Sequence, residues 1–440
     1  MRRLVFVGSH IGYPMERTPL GGGAMVGLQL VRHWKPDATW ALTVLGSGPE
    51  VPAAGVEYVR IAGREDGLVD LGELEYARFC REFEEGATDW ILERAGTHPP
   101  ADTVVVVNDI SEGPTLSRLT ARGYRVVSIW HVDVVDYFNK LYLRRFFAPE
   151  NLTRLHERLR SAGADWVLPD VLNLVFDKQR ETVAHSRRMI VPSQAMADTI
   201  VRCYGELVGE DELRRRLLVV PWGVWSETPA EGDANRAEDL RDYNEIGPDT
   251  FVLMTLSRIS PEKGVHLLLE ALRLMEVNGE LEGKDLRLFI CGEPAFMQGQ
   301  AYMRKVRQAA SRLKKVKVVF PGYLDGASKR AYFKLAHLFV SPSVHESYGL
   351  NVVEAMHAGL PVLASDHYGV RDTLPPDAGR LVHYPSPRKA PPLLAAALRE
   401  MLSDRERLKK MGETGRRLAE AMPFSAAADA VRVAALGVLG

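Results

Sequence analysis

The chain is short of cysteine, of net charge and of long apolar runs, and each shortage excludes something. Three cysteines, Cys80, Cys203 and Cys291, lie far apart in 440 residues. They form no metal-ligand spacing and no disulfide framework, and they read as reduced thiols of a cytoplasmic protein. Formal net charge is −1, so overall charge does not favour a nucleic-acid binder. No run of about 18 apolar residues appears, which predicts no membrane-crossing helix. The opening MRRLVFVGSH has only four apolar residues after its basic pair. That is too short for a signal peptide and reads as a first buried strand. Gly8-Ser9-His10-Ile11-Gly12 does not supply the G-x-G-x-x-G fingerprint of a dinucleotide site.

What is present is ordinary globular composition, 46% hydrophobic and 26% charged, at a length that predicts two or three domains. Apolar strands alternate with helices over the first half, from Leu4–Val7 through Leu217–Val220. Pro221-Trp222-Gly223-Val224 reads as a boundary, and a second α/β series starts at Phe251–Leu256. The polar stretch from Ser226 to Asp249 has weak periodicity. Continuous apolar strands between helices predict parallel sheets covered on both faces. The expectation is α/β: two Rossmann-like, doubly wound domains facing across a cleft. They cover 1–222 and 223–423, followed by a final Ala-rich helix over 424–440. Trp222-Gly223 would be a hinge for closure. Ligands of such sheets sit beyond the carboxyl ends of the strands, so the chemistry should come from loops after strands.

Four segments fit that rule. In SPSVHESYGLNVVEAMHAGLPVLASD (341–366) a strand, a loop, a helix and a strand follow in order. Glu346 and Glu354 flank the predicted helix start, where Tyr348, Gly349 and Leu350 offer backbone N–H groups suited to an anion. The blander reading is a helix-start acid at Glu346 and a solvated face at Glu354. In SRISPEKG (257–264), Arg258 and Lys263 bracket a tight turn after a strand. A rigid guanidinium fork and a mobile ammonium suit a diphosphate, although two surface cations would look the same. Gly21-Gly22-Gly23 follows the first strand and permits close backbone approach to a phosphate or sugar, or is simply a mobile loop. His131, at the end of Arg125–Trp130, can bond a substrate hydroxyl, with Asp133 or Asp136 to orient it; a structural histidine is the alternative. The basic, aromatic stretch Tyr137–Phe147 is read as a helix packed on its own domain, with a membrane surface or lipid-linked acceptor as the other reading.

The C-terminal half resembles the retaining glycosyltransferases of family 4, which have the GT-B architecture. The matching pieces are LSRISPEKG (256–264), ICGE (290–293), PGYLDG (321–326) and HESYGLNVVEAMHAGLPVLASDHYG (345–369). The N-terminal half matches more loosely, through Gly21-Gly22-Gly23, His131 and Pro192-Ser193, and the final helix, 424–440, resembles the segment that in this family packs back on the N-terminal domain.

The resemblance implies transfer of a hexosyl group from a nucleoside-diphosphate sugar, UDP by default with GDP or ADP open, to an acceptor hydroxyl or phosphate. Arg258 and Lys263 would hold the diphosphate, Glu346 the donor sugar and Glu354 the ribose. The amides of Tyr348, Gly349 and Leu350 would meet sugar or phosphate, and Tyr323 and Leu324 the base. His131 would touch the donor sugar, and Gly22 and Gly23 would approach phosphate or acceptor. It also implies no tightly bound cofactor and no metal, and no Asp-x-Asp motif is placed to hold one. Partners would be the sugar nucleotide and a small-molecule or glycan acceptor, with 137–179 as a candidate acceptor wall. Homodimerisation and peripheral membrane contact stay open. Two other readings compete: a sugar-nucleotide epimerase of the same fold, and a non-catalytic sugar-nucleotide binding protein.

Overall fold

The structure is a computed structural model of all 440 residues. It describes every residue except 15–20, 64–67, 69–70, 72, 134, 136–147, 165, 167–169, 226–232, 295–298 and 325. Asp136 and the Tyr137–Phe147 stretch therefore lie outside the described residues. Two compact units divide the chain: Met1–Trp222 with Ser425–Gly440, and Gly223–Phe424.

The first unit runs β1 (Arg2–Val7), α1 (Gly22–His33), β2 (Trp40–Gly46), β3 (Glu57–Arg60), α2 (Glu73–Glu93), β4 (Thr103–Val107), α3 (Leu116–Ala121) and β5 (Arg125–Ile129). It continues with α4 (Pro149–Ser161), α5 (Asp170–His185), β6 (Ser186–Val191), α6 (Gln194–Val208), α7 (Glu210–Arg216) and β7 (Leu217–Val219). The sheet order is β3-β2-β1-β4-β5-β6-β7 and every pairing is parallel. Both faces are covered, which is why β4, TVVVV, is buried along its whole length. Ser193 caps α6 by accepting the amide of Met196 at 3.3 Å.

The second unit runs α8 (Asp233–Tyr243), β8 (Phe251–Leu256), α9 (Val265–Val277), β9 (Leu286–Cys291), α10 (Gly299–Ala310), β10 (Val316–Gly322), α11 (Gly326–Leu335) and β11 (Leu338–Ser341). Then come α12 (Leu350–His357), β12 (Val362–Ser365), α13 (Tyr368–Thr373), β13 (Gly379–Val382), α14 (Ala390–Leu402) and α15 (Arg405–Glu420), while α16 (Phe424–Gly437) starts at the last residue of this unit and otherwise belongs to the first. Its sheet, β10-β9-β8-β11-β12-β13, is again parallel throughout. Leu267, Leu268, Leu269 and Leu272 of α9 join β8, β9 and α14 in one apolar core.

One sequence expectation changes. Weak periodicity over 226–249 concealed α8, which packs on α11 and buries Ala237 while leaving Tyr243 exposed. A helix with so narrow an apolar stripe leaves little periodic signal. The candidate acceptor wall, 137–179, takes in α4 and the first part of α5, and the His156 and Phe176 rings stack at 4.6 Å.

The C-terminal residues of the first unit are anchored there. Trp34 Nε1 donates to the Ala428 carbonyl at 2.9 Å, and Arg2 donates to the Gly440 carbonyl at 2.9 Å.

Candidate functional site

In a doubly wound sheet, the strand order reverses at one point and the loops on either side part there, leaving a crevice. In the second unit that point lies between β8 and β11. The loop after β8 carries Arg258 and Lys263, and the loop after β11 carries Glu346. The structure brings the latter two together. Lys263 Nζ donates to Glu346 Oε2 at 2.8 Å, with the side chains 16% and 14% exposed. Ser343 Oγ reaches the same carboxylate oxygen at 3.4 Å.

Backbone geometry fixes this meeting. Pro261–Lys263 form one 3-10 turn, closed by Gly264 at φ 65°. A Cβ at Gly264 would stand 2.1 Å from the Pro342 carbonyl oxygen, so glycine is required by both conformation and space. Val344 N–H donates to the Glu262 carbonyl at 2.7 Å, tying the two loops directly. Ser260 Oγ donates to Glu262 Oε1 at 2.5 Å, and Arg258 lies 3.8 Å from the same oxygen. From the other side, Tyr384 Oη sits 3.0 Å from the Pro342 carbonyl and 2.9 Å from that of Ser343.

Gly349, at φ 88°, precedes the first turn of α12. Asn351 pins that turn to the end of β8 by donating to the Leu256 carbonyl at 2.9 Å. Tyr348 is buried, and its Oη accepts the Gly223 amide at 3.0 Å. Glu354, one turn into α12, pairs with Lys329 of α11 at 2.8 Å, so it is no freely solvated acid. Tyr323 and Leu324 follow β10 at the same sheet edge; Leu324 is buried and Tyr323 half-buried.

In the first unit, order reverses between β1 and β4. His131 follows β5, and its Nε2 lies 3.0 Å from Asn108 Oδ1 at the end of β4. Among the described residues that is the ring's hydrogen bond, so Asn108, not Asp133, orients it. Asp133 instead accepts from Gln179 Nε2 at 3.2 Å. Burial pushes the His131 imidazole below its ordinary pKa, and the Asp109 charge opposes this only in part. Gly22 and Gly23 are the first residues of α1 rather than a free loop, with Gly21 at φ 100° before them. A Cβ on Gly23 would come within 2.9 Å of the His131 ring, so the triple glycine lets the helix start pack on this histidine.

Sequence reasoning missed the polar network beside it. His10 Nδ1 approaches Asp109 Oδ2 at 3.5 Å, and Tyr76 donates to Glu112 Oε1 at 2.7 Å. Burial would raise the Asp109 carboxyl, but bonds from His10 and Asn108 and the His10 and His131 charges hold it down. Burial, with the Asp109 charge, raises the carboxyl of Glu112. Asn108, Asp109 and Glu112 directly follow the apolar run of β4, so the strand-end rule that singled out His131 could have found them. Among the described residues no cluster of His, Cys, Asp and Glu has the makings of a metal site, and no helix is long and apolar enough to cross a membrane.

Residues 236–418 match the family described as "Glycosyl transferases group 1". The chain is 28% identical over 227 residues to the lipopolysaccharide 1,2-N-acetylglucosaminetransferase of Salmonella typhimurium, covering 50% of this chain and 55% of that protein. The chain spans about half the length of the curated relatives it matches. Among solved structures, sucrose-phosphate synthase from Thermosynechococcus elongatus aligns with TM-score 0.68 at 18% identity, covering 98% of this chain and 97% of that one. Anabaena Alr3699/HepE in complex with UDP and glucose aligns with TM-score 0.63 at 15% identity, covering 98% of each chain. The chain therefore has the GT-B fold, and its residues 236–418, less than half of its length, are similar to the glycosyl transferases group 1 family.

Proposed function

We propose that this protein is a retaining glycosyltransferase of family 4 that moves a hexosyl group from a UDP-sugar to an acceptor hydroxyl. The observation that carries the reading is the Lys263–Glu346 pair, 2.8 Å apart at the strand-order reversal of the second sheet. An ammonium held there by a carboxylate, with Arg258 on the same loop, is a preorganised cation for a diphosphate. The UDP base is supported by HepE, whose structure holds UDP.

The chemistry follows from charge. Breaking the bond between the sugar's anomeric carbon and the diphosphate oxygen leaves negative charge on that oxygen. Arg258, Lys263 and the first-turn amides of α12 stabilise it without reorganising. The acceptor hydroxyl attacks from the face the diphosphate leaves, and its proton passes to the departing phosphate oxygen. Glu346 holds the sugar's hydroxyls, Glu354 the ribose, Tyr323 and Leu324 the base, and His131 the donor sugar, with Gly22 and Gly23 close by. No metal or tightly bound cofactor enters this scheme.

The test is thermal melting of the full chain with UDP, GDP, ADP and their sugars. A ligand that binds only the folded state raises the melting temperature by mass action, about 2.7 kcal/mol at a hundredfold excess over Kd. A shift with UDP and UDP-sugars, lost in Lys263→Ala, is the expected result. No shift with any nucleoside diphosphate overturns the reading.

A further inference from the structure

Asn108 determines which nitrogen of His131 carries a proton. An asparagine's two ends look alike in shape, so its orientation must come from its partners. Here one partner leaves no choice. The Gly23 carbonyl can only accept, and it lies 3.3 Å from Asn108 Nδ2. The Asn108 amide nitrogen is therefore committed to that carbonyl, and its Oδ1 faces His131 Nε2 at 3.0 Å. Oδ1 can only accept, so Nε2 must bear the hydrogen. Burial disfavours the doubly protonated imidazolium. A neutral ring with its proton on Nε2 has a lone pair on Nδ1.

The surroundings leave this arrangement little freedom. Asn108 is fully buried. A Cβ on Gly27 would stand 2.8 Å from its Nδ2, and one on Gly23 would stand 2.9 Å from the imidazole. The Trp222 ring lies 5.7 Å from that of His131. Gly23 and Gly27 of α1 thus make room for the pair.

We propose that Asn108 is a positioning residue that holds His131 with its proton on Nε2, so that His131 offers the substrate an acceptor nitrogen and selects a donor sugar presenting a hydroxyl or N–H there over one presenting a carboxylate. The inference rests on the assignment of His131 to the donor sugar made above. A hydroxyl can donate to Nδ1; a carboxylate would set lone pair against lone pair. An unmet bond of this kind discriminates more strongly than a difference in size.

The experiment uses the full-length protein. Nitrogen-15 spectra at neutral pH report the protonation of each ring nitrogen, with His131 assigned by the signal that disappears in His131→Gln. The expected pattern is protonated Nε2 with bare Nδ1. A proton on Nδ1, or an imidazolium, overturns the proposal, and this measurement needs no variant at Asn108.

The second arm is Asn108→Asp, nearly the same shape. A carboxylate at this position favours the imidazolium, adding to the Asp109 charge that already acts on the ring while Asp109 itself is paired with His10. The His131 titration midpoint should rise by about one pH unit or more. The ratio of kcat/KM for a neutral UDP-hexose over the matching UDP-uronate should fall about tenfold. An unchanged ratio overturns the specificity claim. If neither protein turns over any sugar nucleotide, the transferase reading has failed, while the tautomer result still decides the role of Asn108.

Discussion

Gly264→Ala tests how the donor-side loop is held, and Gly283→Ala supplies its control. The two glycines have nearly the same backbone, φ 65° and φ 69°, but different surroundings. A Cβ at Gly283 meets nothing within 4 Å, whereas one at Gly264 meets the Pro342 carbonyl oxygen at 2.1 Å. The left-handed conformation costs alanine about 1–2 kcal/mol. Restricting the unfolded chain returns about 0.4–1 kcal/mol. Gly283→Ala should therefore cost between about 0 and about 1.6 kcal/mol. At Gly264 the contact must open by roughly 1 Å to reach van der Waals distance, and the obstacle is backbone. Overpacking of that kind adds about 1–3 kcal/mol. For a unit of this size, such a loss lowers the melting temperature by about 2–4 °C per kcal/mol. Calorimetry of the two variants beside the parent measures the difference. Because Pro342 leads into Ser343 and Glu346, Gly264→Ala should also weaken UDP binding, and Gly283→Ala should not. Equal destabilisation by both variants, or full UDP affinity in Gly264→Ala, would refute the claim that loop contact positions the site.

Two further predictions concern charge. Lys263→Met and Glu346→Gln should each cost about 2–3 kcal/mol, because the pair is largely buried and either change strands the other charge. The double variant should cost less than their sum, and strict additivity in denaturant unfolding would show that the pair is not coupled. His266 is the second. Burial, aided by the Lys305 charge, lowers its pKa from 6.5 to about 4, and Tyr302 Oη lies 2.7 Å from its Nδ1. The folded state thus takes up its proton later than the unfolded chain does as pH falls. The stability tied to its neutral form is complete above about pH 6.5 and is lost as pH falls toward 4, an effect of about 2–3 kcal/mol. His266→Gln should flatten that part of the stability–pH curve, and an unchanged slope would assign the acid sensitivity elsewhere.

The sequence by itself determined the fold class and the strand-end loops. Apolar runs such as Val104–Val107, buried on both faces, can only be central strands of a covered sheet, so periodicity sufficed to read them. It also singled out Lys263 and Glu346, because they follow strands directly. It could not show that these two residues, far apart in sequence, meet at 2.8 Å, since that depends on β11 pairing beside β8. Nor could it find α8, whose burial falls on so few side chains that no periodic pattern forms.

Only the tertiary structure decided which residue governs His131. By sequence distance Asp133 and Asp136 were the candidates, yet parallel pairing of β4 with β5 puts Asn108 at the ring. It decided the role of the triple glycine as well. A residue without a Cβ reads as flexibility in a sequence, but here its absence makes room for an imidazole. Local pattern follows from the period of helix and strand, which each segment carries within itself. Hydrogen-bond partners and steric gaps depend on which strands become neighbours, and that is fixed when the sheet forms.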